Sequence, residues 1–150
     1  MNILVLNGSP RPNGNTAQMV GTFREAAQRS GHTVRTVEVC KKNIHGCLAC
    51  EYCHGKGQGQ CVQKDDMQEI YDLLLEADML VLASPIYYHN MSGQLKCTID
   101  RFYAVLYPDT PPMKTVPASR AFSKHSIQPS TPLTARCGTN ASSSAAEVIR

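Results

Sequence analysis

Ile3, Leu4, Val5 and Leu6 form an unbroken apolar run, the pattern of a strand buried on both faces of a parallel sheet. Turn residues follow over residues 8–14, and from Thr16 the spacing changes. Met19, Val20, Phe23, Ala26 and Ala27 recur at intervals of three and four, which predicts one apolar face of a helix. Gly31 falls just past that helix, where a left-handed backbone suits glycine. Residues 32–39 alternate as a second strand with Val34, Val37 and Val39 inward. A cysteine- and glycine-rich loop fills residues 40–63. Asp66, with Glu69 three residues on, predicts a capping box for a helix carrying Met67, Ile70, Tyr71 and Leu74. Met79, Leu80, Val81 and Leu82 make a third buried strand. A loop over residues 84–93 then leads to a stripe of Leu95, Ile99, Phe102 and Leu106.

Three strands alternating with three helices predict a doubly wound α/β domain with a parallel sheet. The pattern stops near Tyr107. Residues 115–150 are rich in Ser, Thr, Pro and Ala and have no sustained period, so they are expected to be poorly ordered, apart from a short helix over residues 145–149. The organisation expected is an α/β domain over residues 1–112, incomplete, and a tail over 113–150. The abrupt change of composition suggests a frameshifted or otherwise aberrant ending.

Charge adds little. Through Lys114 the chain has 11 basic and 11 acidic residues, and the net +3 comes from the tail. No basic stripe or aromatic platform points to nucleic acid. No apolar run approaches the roughly 20 residues of a membrane helix, and no leader pattern is evident, so a cytoplasmic location is expected. Seven cysteines without a secretion signal favour metal or redox chemistry over a disulfide framework.

The first strand-to-helix loop, residues 8–16, reads Gly-Ser-Pro-Arg-Pro-Asn-Gly-Asn-Thr. N–H groups at a helix start favour an anion. Ser9, Asn15 and Thr16 add hydroxyl or amide donors, and Arg11 a fixed charge. The loop lacks both the Lys-Ser/Thr of a nucleotide P-loop and the glycine spacing of a dinucleotide fingerprint, so a monophosphate fits better. A polar turn without a ligand is the alternative.

With Gly8-Ser-Pro-Arg11 and Asn15-Thr16, this loop resembles the FMN phosphate loop of the NADPH-dependent FMN reductase superfamily. A second segment, Ala83-Ser-Pro-Ile-Tyr-Tyr-His-Asn-Met-Ser-Gly93, resembles the family's loop along the isoalloxazine ring. The resemblance covers about residues 1–107. It implies a flavodoxin-like, three-layer α/β/α fold, here truncated after the third strand and its helix. It also implies FMN held by Ser9, Arg11, Asn13, Gly14, Asn15 and Thr16 at the phosphate, and by Pro85, Ile86, Tyr87, Tyr88, Ser92 and Gly93 at the ring. The family's sheet has five parallel strands in the order 2-1-3-4-5. With only three readable, the third strand would be an uncovered edge.

Cys47, Cys50, Cys53 and Cys61 form a compact set, C-x2-C-x2-C-x7-C. The spacing resembles [4Fe–4S] ligation, without the proline that follows a ferredoxin's last ligand. It also resembles the iron–sulfur flavoprotein branch of the same superfamily, where such a loop precedes an Asp-Asp-Met like residues 65–67. A zinc site, free redox thiols and a regulatory disulfide remain open. His45 and His54 read as solvated loop residues. Cys40 and Cys97 read as small buried ones, and Cys137 has no partner at ligand spacing.

The function expected is an FMN-dependent oxidoreductase taking electrons from NAD(P)H to a small acceptor such as a flavin or quinone, with a relay through the cluster if it forms. Flavin carries the chemistry, so no side chain is assigned as acid or base. The resemblance also suggests a homodimer. Two rivals stand: a flavodoxin-like electron carrier without turnover, and a zinc-stabilised binding protein without flavin.

Overall fold

The structure is a computed structural model that describes residues 1–106 and 144–149. The expected domain limit at residue 112, the tail from 113 to 143 and Cys137 lie outside the described residues.

Three parallel strands form the sheet's core: β1 (Asn2–Asn7), β2 (Thr33–Glu38) and β3 (Met79–Pro85). Strand β1 is central, with Ile3 opposite Val34 on one side and Met79 on the other. The order of these three is β2-β1-β3, as the family resemblance implied. The continuous apolar run of β1 is explained by its two covered faces. Ile3 and Val5 pack beneath α1 (Asn15–Arg29), while Leu4 and Leu6 join the core on the other side. That second core is completed by Met67, Ile70 and Tyr71 of α2 (Met67–Glu76) and Leu95 of α3 (Gly93–Asp100), with Phe102 and Ala104 beyond it. A last short helix, α4, spans Tyr103–Leu106.

Several local expectations are corrected. The buried face of α1 runs through Thr16, Val20 and Ala27, with Phe23 partly buried beside them, while Met19 and Ala26 are exposed. No capping box forms at α2. Asp66 is helical and caps nothing; its carboxylate accepts from the Asn43 N–H at 2.8 Å, and Glu69 pairs with Lys42. The Asp65 Oδ1 takes the Met67 N–H instead, at 3.2 Å. Gly31 has the expected left-handed backbone, φ 78°.

Residues 144–149 are not helical. They form β4 (Ser144–Ile149), antiparallel to β3, with Leu80 opposite Ile149 and Pro85 opposite Ser144. The free edge of β3 offers a ladder of N–H and C=O groups, and pairing with it outweighs the helix preference of Ala-Ala-Glu. The edge expected to be uncovered is therefore paired, and the sheet reads β2-β1-β3-β4.

Candidate functional site

The two segments predicted to hold a cofactor meet at the carboxyl ends of β1 and β3. The Gly8 N–H donates to the Ala83 carbonyl at 2.7 Å, which joins the first loop to the end of β3. Gly8 also lies against the start of α3. A Cβ built there would stand 2.7 Å from Ser92 Oγ and 2.8 Å from Leu95 Cβ, so only glycine permits the approach. Ser92 is fully buried and caps α3, its Oγ accepting from the Leu95 N–H at 3.4 Å. Its own N–H donates to Ser84 Oγ at 2.9 Å. These contacts fix the two loops relative to each other without any ligand atom.

Within the first loop, Ser9 is buried and its hydroxyl serves the loop's own turn, accepting from the Arg11 N–H at 3.3 Å. Arg11, Asn13 and Asn15 are exposed, Gly14 is half-buried and Thr16 is buried. Gly14 is the N-cap of α1. Among the described residues no side chain caps the helix, and no acidic residue occupies its own first turn, where the positive end of the dipole favours an anion.

Beyond β3, Tyr87 and Asn90 exchange both backbone hydrogen bonds, at 2.7 and 3.0 Å. Between them Tyr88 and His89 both have positive φ, 47° and 64°. Non-glycine residues in this conformation cost roughly 1–2 kcal/mol each, and such strain gathers at functional loops. The turn lifts Tyr88 into solvent at 98 % exposure, with Ile86 and Tyr87 also exposed and Pro85 half-buried. An apolar, aromatic surface thus stands beside a helix start suited to an anion. The residues present fit a molecule with a flat ring at one end and a phosphate at the other. Gly93 begins α3 and is exposed.

The cysteine loop lies between β2 and α2. Cys47 and Cys50 are exposed, Cys53 is buried and Cys61 is half-buried. Burial pushes the Cys53 thiol up, with Cys61 and Cys47 adding to the shift. The donor set, four thiols on one loop, suits an inorganic centre in kind. It is not gathered: among the described residues no three Cys, His, Asp or Glu side chains converge on a metal position. Ala49, Glu51 and Gln58 in this loop are left-handed, with φ 50°, 56° and 45°.

Three residues depart from their expected roles. Cys40 is half-buried rather than buried, and its thiol donates to the Gly8 carbonyl at 3.1 Å, under the first loop. Burial, then the charge of Glu38, raises its pKa. Cys97 is also half-buried and lies against Gly46. His54 is not simply solvated: its Nε2 lies 2.8 Å from the Tyr103 carbonyl and its ring is 4.2 Å from the Tyr103 ring.

Sequence reasoning missed Arg101. Its side chain is 1 % exposed and forms a two-pronged pair with Asp65, at 2.8 and 3.1 Å. Burial alone would raise the Asp65 carboxyl, but Arg101 and the N–H groups of His45 and Met67 outweigh it and hold it below the usual carboxylate range. Arg101 is in turn raised: Asp65 and Tyr71 more than offset its burial. The Tyr71 hydroxyl donates to the Arg101 carbonyl at 3.1 Å, and burial pushes that phenol up to about 12. The available signal was spacing, since Leu95, Thr98 and Arg101 follow one another at intervals of three on the buried side of α3.

A hollow of about 210 Å³ lined by Asn2, Thr33, Arg35 and Glu76 opens at the opposite end of the strands. In sheets of this kind ligands sit at the carboxyl ends, where the two loops meet.

A parallel α/β sheet with a capless helix start and an exposed aromatic turn at its carboxyl edge defines a flavodoxin-like domain. The chain belongs to the NADPH-dependent FMN reductase family, whose sequence model matches residues 1–124. It is 43 % identical over 94 residues to an iron–sulfur flavoprotein of Archaeoglobus fulgidus, covering 63 % of this chain and 42 % of that protein. An iron–sulfur flavoprotein of Methanocaldococcus jannaschii is 40 % identical over 106 residues, covering 71 % of this chain and 52 % of that one. The chain thus spans about half the length of the curated relatives it matches. Among solved structures, RosB with bound 8-demethyl-8-formylriboflavin 5′-phosphate superposes with a TM-score of 0.56 at 19 % identity, over 69 % of this chain and 42 % of RosB. A candidate quinone reductase from Klebsiella pneumoniae gives 0.55, also at 19 % identity, over 69 % and 45 %. At that identity the likeness is one of fold.

Proposed function

We propose that the chain binds FMN at the joined ends of β1 and β3 and works as an oxidoreductase, accepting electrons from NAD(P)H and delivering them to a small acceptor such as a flavin or quinone. The observation that carries this reading is the junction itself: Gly8, Ala83 and Ser92 lock an anion-ready helix start beside an exposed aromatic turn. Membership of the FMN reductase family supports it. Arg11, Asn13, Asn15 and the N–H groups at the start of α1 would hold the phosphate. Ser9 and Thr16 would shape that loop. Pro85, Ile86, Tyr87 and Tyr88 would lie along the ring, and the capped start at Ser92 and Gly93 would keep that wall in place. Bound flavin supplies hydride and one-electron chemistry. The protein's part is to fix the ring and exclude water from one face.

The same reading takes Cys47, Cys50, Cys53 and Cys61 as ligands of an inorganic centre, a [4Fe–4S] cluster first and zinc second. The iron–sulfur names of the relatives and the donor set support this. Tyr88, projecting from a held turn, suits a homodimer that completes the ring pocket, and free thiols suit a reducing cytoplasm. No described helix is long and apolar enough to cross a membrane.

The test is anaerobic. FMN-loaded protein should lose its flavin absorption when NADH or NADPH is added, and should turn over steadily once a quinone is supplied. Flavin binding with no bleaching by either nucleotide would leave an electron carrier in place of the reductase.

A further inference from the structure

The loop that carries Cys47, Cys50, Cys53 and Cys61 is fastened outside the cysteines at both feet, and the enclosed ion pair of Arg101 with Asp65 lies there. Arg101, at the end of α3, donates from Nη1 to the His45 carbonyl at 2.9 Å and to Asp65 Oδ2 at 2.8 Å. Its Nη2 donates to Asp65 Oδ1 at 3.1 Å. Asp65 Oδ2 also accepts the His45 N–H at 3.2 Å. His45 lies two residues before Cys47 and Asp65 four after Cys61, so the carboxylate and the guanidinium close a ring across the base of the loop. Gln63 Nε2 adds a bond to the Gly46 carbonyl at 3.1 Å. Arg101 and Asp65 are 1 % and 3 % exposed at their side chains, which shields the clamp from water.

The Tyr71 hydroxyl, which donates to the Arg101 carbonyl at 3.1 Å, also acts on the guanidinium and helps to hold its charge.

We propose that Arg101 is the positioning residue of the cysteine loop: it holds the two feet together through Asp65 and His45, so that the thiols between them are kept where one inorganic centre can gather them. This rests on the reading of the four thiols as ligands. The clamp brings the ends of the loop together before any metal arrives, which lowers the entropy lost on binding. It also ties the loop to α3, whose other end, Ser92, is built into the flavin wall. Arg101 touches no reacting atom and acts only through the groups it holds.

Arg101→Lys tests this, because it keeps the charge but loses the two-pronged fork. In the metal-free full chain, thiol alkylation followed by mass spectrometry should label Cys61 at least tenfold more slowly than Cys47. In Arg101→Lys that gap should shrink below threefold. After loading with ferrous iron and sulfide, or with zinc alone, the variant should release metal to a chelator at least tenfold faster than the parent. FMN affinity should stay within twofold, showing that the fold persists. Equal labelling and equal metal release in parent and variant would overturn the proposal. If Arg101→Lys does not fold, Asp65→Asn, close in shape and uncharged, is put through the same measurements and should change them in the same direction. Loss of FMN binding in both variants would reduce Arg101 to general structural support and also overturn it. If the parent takes up neither iron–sulfide nor zinc, the ligand reading fails, and the labelling contrast alone decides whether the clamp exists.

Discussion

The two candidate sites of this chain are built on opposite plans. Where β1 and β3 end, backbone and small residues do the positioning: Gly8 fits against Ser92 and Leu95, and two loops are fixed in mutual contact. In the cysteine loop, charged side chains hold the feet while the thiols between them are spread from exposed to buried. The first region is rigid before a ligand arrives, as suits a large organic molecule whose shape must be matched. The second is held at its base by Arg101 and Asp65 and farther along by His54 and Glu51 on Tyr103, while its thiols do not converge, as suits a site that a bound metal itself finishes folding.

The comparison is broken most severely at the clamp. Asp65→Ala should cost about 3–5 kcal/mol, because it leaves the Arg101 guanidinium buried without a counter-charge. A urea unfolding midpoint reads this directly, and a loss below about 1 kcal/mol would mean that the loop is not anchored there. Gly8→Ala attacks the other region. The new methyl group has no room beside Ser92 and Leu95, so a loss of about 1–3 kcal/mol is expected from overpacking. FMN affinity should fall at least tenfold while thiol reactivity in the cysteine loop stays as it was. If both regions respond together, they are not independent.

Smaller effects sharpen the contrast. Tyr88→Gly removes a left-handed residue that contributes no burial, so stability should rise by about 1 kcal/mol while flavin affinity drops. A thermal melt beside a flavin titration would show the opposed signs. For acid, the sign follows from the lowered Asp65 carboxyl. Its contribution is complete above the unfolded value of about 3.9 and is lost as pH falls through the lower folded value. Replacing it in Asp65→Asn should therefore flatten the stability profile below about pH 4 and leave its slope near neutrality unchanged.

The same contrast explains what the sequence made legible. Strand β1 and its neighbours were readable because a strand covered on both faces must be apolar throughout, and residues 3–6 are. The first strand-to-helix loop was readable because its turn residues separate an apolar run from a helical period. Which residues of α1 are buried was hidden, since Met19 and Ala26 fit the apolar period as well as those that are. Strand β4 was read as helix because Ala-Ala-Glu favours one locally; its partner, the edge of β3, lies some sixty residues away in sequence. The role of Arg101 was hidden for the same reason. A basic residue in a helical stripe looks like surface until its carboxylate, 36 positions away, is known to be enclosed with it.

The central claim, that the joined loops are an FMN site, is tested most directly by titrating the purified chain with FMN and with riboflavin and repeating both with Arg11→Ala. The account predicts that FMN binds at least tenfold more tightly than riboflavin, because only FMN offers a phosphate to the start of α1 and to Arg11. The preference should fall by about tenfold in the variant while riboflavin binding is unchanged. Equal affinity for the two ligands, or binding of neither, would contradict it.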